Sequence, residues 1–265
     1  MDISTASLSG QGTRSSNQDQ LGDIIGQRSA CFVVCDGIAG QPGGGLAAEL
    51  ARDAIISHFD GDNHLNAQHI RQFVLQANQA IQHQQKTSPD MHRMGTTLVS
   101  LFIDRDYQLA YWAHAGDSRL YLFRRGWLYH VTTDHSLVQQ MKAAGHDTRE
   151  INNNLLYRAL GVNNDGPEAS YSEGVLVEDG DVFLLCTDGF WHNVSESQMK
   201  SSLQMVNTPN EWLVLMNTII QKNHATAKES QDNYSAVAVW VGSPEQTTLV
   251  HTFSDAAKFL PMRDE

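Results

Sequence analysis

Cysteine is scarce in this chain of 265 residues: Cys31, Cys35 and Cys186 are too few for a disulfide framework. Each lies in an apolar, strand-like run, and free thiols of this kind lead us to expect a reducing cytoplasm. Positive charge is also in short supply. Lys and Arg number 18 against 30 Asp and Glu, a formal net charge of −12. That balance excludes a broad nucleic-acid-binding face and a polybasic membrane anchor. No apolar run approaches the length of a membrane span. The opening residues, Met1 to Gly10, carry neither a basic stretch nor an apolar core, so no secretory leader is expected. Internal repeats and low-complexity tracts are absent, as is the Gly-x-Ser-x-Gly elbow of serine hydrolases. Twelve histidines are scattered, with no His-x-x-x-His pair beside an acid, and most are expected at the surface. What is left is a soluble, acidic globular chain long enough to bury a sizeable core.

The first strong strand is Ala30 to Cys35, a continuous apolar run that stops at Asp36-Gly37. A glycine-rich loop follows, ending at Gly43-Gly44-Gly45. It resembles a phosphate cradle only superficially. A Walker loop needs Lys and then Ser or Thr after its last glycine, and Leu46 stands there instead. Its expected role is to let backbone approach closely and to open a helix. Two helices are predicted next, one with Leu46, Leu50, Ala54 and Ile55 inward, one with Ile70, Phe73, Val74, Ala77 and Ile81.

Four short strands are predicted at 97–103, 107–115, 120–124 and 127–131, with Arg125-Gly126 as a tight hairpin turn. Short connections imply that consecutive strands pair antiparallel. A short helix at 135–144 precedes a polar, turn-rich excursion at 147–154. Strands resume at 169–177 and 181–186, helices at 196–205 and 211–222, and a last clear strand at 234–241. An edge strand is expected at 248–253. Trp112, Trp127, Trp191 and Trp212 are expected to fill the core or its rim. The pattern predicts an α+β fold, antiparallel sheets covered by helices.

The aspartates carry the chemistry. Asp36 and Asp188 each end an apolar run and precede a glycine. Asp232-Asn233 opens another such run. Asp117 follows Gly116 at a strand break, and Asp19 closes the segment that starts at Arg14. A single Asp-Gly is usually only a turn. Several carboxylates at the mouths of buried strands are costly unless paired or bound to a cation. An oxygen-only set, with no Cys or His at ligand spacing, suits Mg²⁺ or Mn²⁺ rather than Zn²⁺.

Seven short motifs occur in order: Arg14-x-x-Asn17-x-Asp19, Val34-Cys35-Asp36-Gly37, Gly95-Thr96-Thr97, Ala115-Gly116-Asp117-Ser118-Arg119, Thr133-Asp134-His135-Ser136, Thr187-Asp188-Gly189 and Asp232-Asn233. Together they resemble the metal-dependent protein phosphatases of the PPM, or protein phosphatase 2C, type, over Arg14 to Val241. The start of the chain looks like the bacterial branch, and the overall likeness extends to PppA-type phosphatases associated with type VI secretion.

The resemblance implies two antiparallel sheets packed as a central sandwich flanked by helix pairs. It implies one phosphatase domain over residues 1–243 with a short flap near 136–157, then an edge strand or tail at 244–265. It implies two Mn²⁺ or Mg²⁺ ions bridged by Asp36, with the Gly37 carbonyl, Asp188, Asp232 and Asp19 completing the sites, and a weaker third site at Asp117 with Asp188. Asp36, Asp188 and Arg14 would be the catalytic set, with Arg14 gripping the substrate phosphate. The implied substrates are proteins phosphorylated on serine or threonine, with an opposing Ser/Thr kinase and no nucleic-acid partner or membrane insertion.

Three details stand beside that resemblance. Arg119 is read as bracing a strand mouth by pairing an aspartate, and His135 as structural. Many eukaryotic members carry a histidine after the first Asp-Gly, proposed as general acid. Ile38 stands there, so the proton donor is unassigned. The competing reading is a catalytically weak phosphoprotein-binding module of the same fold. Loss of a metal aspartate would signal it, and Asp36, Asp188 and Asp232 are all present.

Overall fold

The computed structural model describes residues 1–39, 42–148, 155–162, 169–226 and 230–242. Two antiparallel sheets form the centre. One runs β1 (Ile3–Gly10), β11 (Tyr234–Val241), β10 (Val182–Cys186), β6 (Arg119–Arg124), β7 (Trp127–Val131). The other runs β2 (Asp19–Ile25), β3 (Ser29–Asp36), β4 (Leu98–Asp104), β5 (Leu109–Ala115), β8 (Ser170–Tyr171), with β9 (Val175–Leu176) also on β5. Helices α1 (Gly44–His58) and α2 (Ala67–Thr87) cover the second sheet. Helices α5 (Glu196–Leu203) and α6 (Pro209–Thr226) cover the first; α3 (Leu137–Ala143) and α4 (Asp188–Trp191) are short.

The continuous apolar runs follow from burial on both faces. Along β3, Phe32 and Val34 enter the layer between the sheets, beside Leu101, Leu122, Leu185 and Val237. The alternate residues Cys31, Val33 and Cys35 meet Ala47, Ala51, Ile55 and Val74 of α1 and α2. On the other side, Tyr121, Phe123, Leu184 and Trp240 pack against Trp212, Leu213, Met216 and Ile220 of α6. All three cysteines are free and buried. Among the described residues, no helix is long and apolar enough to cross a membrane.

Several expectations are corrected. Strands β1 and β2 carry no strong apolar pattern and were not predicted. The predicted strand 169–177 is broken into the two-residue stretches β8 and β9. β5 and β6, joined by a short connection, do not pair. Gly116 adopts φ 99°, and the chain crosses there from one sheet to the other. The Arg125-Gly126 hairpin is present, with both residues at positive φ (53° and 73°), which suits the twist of paired strands. Trp127 is 66% exposed rather than in the core or at its rim, its ring capped by the Lys200 ammonium 3.2 Å from the centroid. Among the described histidines only His114 and His135 are buried, stacked 4.5 Å apart, in line with a structural His135 and with the expectation that most histidines lie at the surface. The predicted excursion at 147–154 lies mostly, and the edge strand at 248–253 wholly, outside the described residues.

Candidate active site

Strand pairing alone brings the aspartates to one end of the sandwich. Asp19 opens β2 and stands directly opposite Asp36, the last residue of β3. β10 and β11 are antiparallel neighbours, so Asp188, just after β10, meets Asp232, just before β11. The Gly116 crossing delivers Asp117 to the same end. Asp36, Asp117, Asp188 and Asp232 line one cleft of ≈ 280 Å³ with Arg14, Gly37, Ile38, Thr97, Leu156 and Asn233.

Asp36 is fixed by the Gly95-Thr96-Thr97 motif, which the sequence marked without assigning it work. The Asp36 backbone N–H donates to Thr97 Oγ1 (3.0 Å), and its carbonyl accepts from Thr97 N–H (2.8 Å) and Thr96 Oγ1 (2.8 Å). Thr97 Oγ1 in turn bonds Ser118 Oγ at 2.7 Å. Gly37 is obligatory for space: a Cβ there would sit 2.4 Å from the Gly44 carbonyl carbon, at the start of α1. Asn233 staples the loop before β2. Its Oδ1 accepts from Gln18 N–H (3.0 Å), and its amide donates to the Gln11 and Ser16 carbonyls.

Elsewhere, the buried Asp104 and Asp181 and the half-buried Asp134 are satisfied. Asp104 accepts from four groups, the backbone N–H of Leu65, Asp106 and Tyr107 and the ring of His64. Asp181 takes both arms of Arg124 (2.8 and 2.7 Å). Asp134 takes both arms of Arg119 (2.8 Å each), as expected for Arg119. That guanidinium lies 3.4 Å above the Trp191 ring, whose Nε1 donates to the Asp117 carbonyl (2.9 Å).

The carboxylates at this end of the sandwich are different, although Asp19, buried beside Asp36, is not itself part of the cleft lining. Asp19 receives Thr187 Oγ1 on Oδ2 (3.1 Å), but its buried Oδ1 has no hydrogen-bond partner. Burial, with Asp188 and Asp232 nearby, pushes its pKa up to about 7. Burial and then Asp188 do the same to Asp117, also to about 7. Asp36 is raised well above the carboxylate range by burial and by Asp19, Asp188, Asp117 and Asp232. Asp188 is raised by burial, against the pull of His192, whose Nδ1 lies 4.0 Å away. Arg14 Nη2 donates to Asp232 Oδ2 at 2.6 Å, which raises the arginine's pKa. Among the described residues, no three Asp, Glu, His or Cys side chains form a ready-made metal cage. Asp36 and Asp188 are close enough to share a hydrogen bond, and Asp232 is turned onto Arg14.

Residues 9–245 match the family model described as protein phosphatase 2C. The serine/threonine phosphatase stp of Listeria monocytogenes is 31% identical over 189 residues, covering 68% of this chain and 73% of that protein. The catalytic domain of the phosphatase PstP, solved in complex with two manganese ions, superposes with a TM-score of 0.75 at 28% identity, over 91% of this chain and 99% of that one. PppA of Pseudomonas aeruginosa, described as a key regulatory component of the type VI secretion system, superposes with a TM-score of 0.73 at 27% identity, over 90% of this chain and 97% of that one. The chain belongs to the protein phosphatase 2C family, the metal-dependent serine/threonine protein phosphatases.

Proposed function

We propose that this cleft removes phosphate from phosphoserine and phosphothreonine in proteins, within a single domain over residues 1–243. In this reading Asp36, the Gly37 carbonyl, Asp188, Asp232 and Asp19 hold two divalent cations, Mn²⁺ or Mg²⁺. Asp117 with Asp188 offers a weaker third site. The observation that supports it is the contrast among buried aspartates. Asp104, Asp181 and the half-buried Asp134 are satisfied by partners, whereas Asp36, Asp188, Asp117 and the neighbouring Asp19 raise one another's proton affinity, and Asp19 Oδ1 is unpartnered. The donor set is all oxygen, which fits a hard cation. When bound, such cations supply Lewis acidity toward phosphoryl oxygens and make bound water a nucleophile at neutral pH.

The chain's own groups do the rest. The Arg14 side chain is 45% exposed and, among the described residues, is tethered to Asp232 alone, so its fork could pass to the phosphate if Asp232 were released to hold a cation. Thr97 and Ser118 lock Asp36 in place. Ile38 borders the cleft and has no proton to give the departing oxygen. The test is a pair of variants assayed with Mn²⁺. Asp36→Asn should lower kcat by orders of magnitude in a folded protein, and Arg14→Ala should mainly raise KM. Tight phosphoprotein binding without turnover in the wild type would favour the binding-module reading instead.

The likeness to PppA supports a narrower role: opposing a Ser/Thr kinase in the cytoplasm and resetting a phosphothreonine-dependent switch in type VI secretion. Deletion should then raise phosphothreonine on a few proteins; a rise confined to phosphotyrosine would refute it.

A further inference from the structure

The two walls of the cleft differ in chemistry. One is polar and comes from the loop before β2 and the start of β11: Arg14, Ser15, Ser16, Gln18 and Asn233. Another part of the lining is apolar: Ile38, Ala39 and Leu156. The apolar wall continues outward. A methyl placed on Gly95 would lie 3.2 Å from Ile38 Cδ1 and 3.1 Å from Val162 Cγ2, so these two side chains flank the same glycine. Val162 is 51% exposed and does not line the cleft.

The backbone holds this shelf firmly. Ile38 N–H donates to the Gly95 carbonyl (3.0 Å). Thr96 and Leu160 exchange both backbone hydrogen bonds (3.1 and 2.9 Å), which ties Gly161 and Val162 to the Gly95 turn. Gln85 adds a side-chain bond to the Gly161 carbonyl (2.7 Å), and Asn78 Oδ1 accepts from Gly161 N–H (2.8 Å). An apolar surface fixed in this way holds its exposed area in place beside the cleft.

We propose that the shelf of Leu156, Ile38 and Val162 is a specificity surface that receives an apolar side chain of the substrate immediately beside the phosphoresidue. The inference rests on the phosphatase reading of this cleft. Its occupant follows from continuity with the cleft: a peptide whose phosphate reaches the carboxylate floor must lay its neighbouring residues along the two walls. The wall without hydrogen-bonding side chains rewards an apolar neighbour and leaves a polar one unpaired.

The test uses two phosphothreonine peptides, identical except for Leu or Asn flanking the phosphoresidue, with an aryl phosphate as control. Partial burial of one leucine side chain gives the Leu peptide a kcat/KM about five- to tenfold higher, expressed mainly in KM. Val162→Asp should bring that ratio near one while aryl phosphate turnover stays at the wild-type level. Val162→Ala should lower the ratio part-way and guards against misfolding of the charged variant. Equal kcat/KM for both peptides on the wild type overturns the proposal, as does a preference that survives Val162→Asp. If the wild type turns over no aryl phosphate, the phosphatase reading fails instead. Peptide binding by fluorescence anisotropy then decides the shelf by the same ratio.

Discussion

Asp19 should be a group that the metal-free protein would fold better without. It is 5% exposed, one carboxylate oxygen has no partner, and its proton affinity is raised from 3.8 to about 7. Holding that carboxyl ionised in the fold therefore costs about 4 kcal/mol relative to the unfolded chain. A raised carboxyl pKa means that the folded state binds the proton more tightly. Its contribution to stability is full below pH 3.8 and is lost as pH rises through about 7. Asp19→Asn keeps an oxygen to accept from Thr187 and removes the charge. Because Asp36 and Asp188 share the repulsion, part of the relief is already available to them, so the expected gain is about 2–4 kcal/mol at pH 8 in excess EDTA. Urea unfolding followed by tryptophan fluorescence measures it. The same variant should gain less from added Mn²⁺ than the wild type does. If Asp19→Asn unfolds at lower urea than wild type in EDTA at pH 8, the electrostatic reading of the cleft is wrong.

Gly37→Ala places a methyl 2.4 Å from the Gly44 backbone, and either β3 or the start of α1 must give way. A loss of about 1–3 kcal/mol in stability and at least about tenfold in kcat/KM is expected, checked by thermal melts and steady-state kinetics. His135 is lowered to about 3 by burial and by its neighbour His114, itself lowered by burial, whereas the unfolded ring titrates at 6.5. Its stability contribution is therefore full above pH 6.5 and falls with pH below it, at most about 1.4 kcal/mol per pH unit. His135→Gln should flatten the pH dependence of the urea midpoint between pH 6.5 and 4, and an unchanged slope would show that the ring is not held neutral. With Ile38 bordering the cleft, kcat should depend steeply on leaving-group pKa across substituted phenyl phosphates, provided that chemistry limits the rate. A flat dependence would reveal a general acid elsewhere, whereas Ile38→His should flatten it if the ring reaches the leaving oxygen.

The central strands were legible because burial on both faces leaves an uninterrupted apolar run, as in β3, β10 and β11. β1 and β2 were not. β1, from Ile3 to Gly10, alternates half-buried and exposed Ser, Thr and Ala, and its strand state comes from pairing with β11, more than 200 residues later in the chain. The connection between β5 and β6 reads locally as a hairpin, since no short segment records which sheet its ends join. Only the Gly116 crossing explains why Asp117 reaches the cleft. Trp127 reads as a residue of the core or its rim because nothing nearby in sequence announces Lys200, which covers it from α5. The aspartates were legible for a physical reason: a carboxylate at the end of a buried strand is costly wherever it sits. Their common location follows from antiparallel pairing, which sets strand ends side by side. The bond between Arg14 and Asp232 has no such signature, because it joins residues 218 positions apart through loop geometry alone.

Turnover of a phosphothreonine peptide by the wild-type chain, before and after chelation, tests the central claim most directly. Dialysis against EDTA should abolish phosphate release, and Mn²⁺ or Mg²⁺ should restore it in the wild type but not in Asp36→Asn. Undiminished release in excess EDTA, or full restoration by Mn²⁺ in Asp36→Asn, would contradict it.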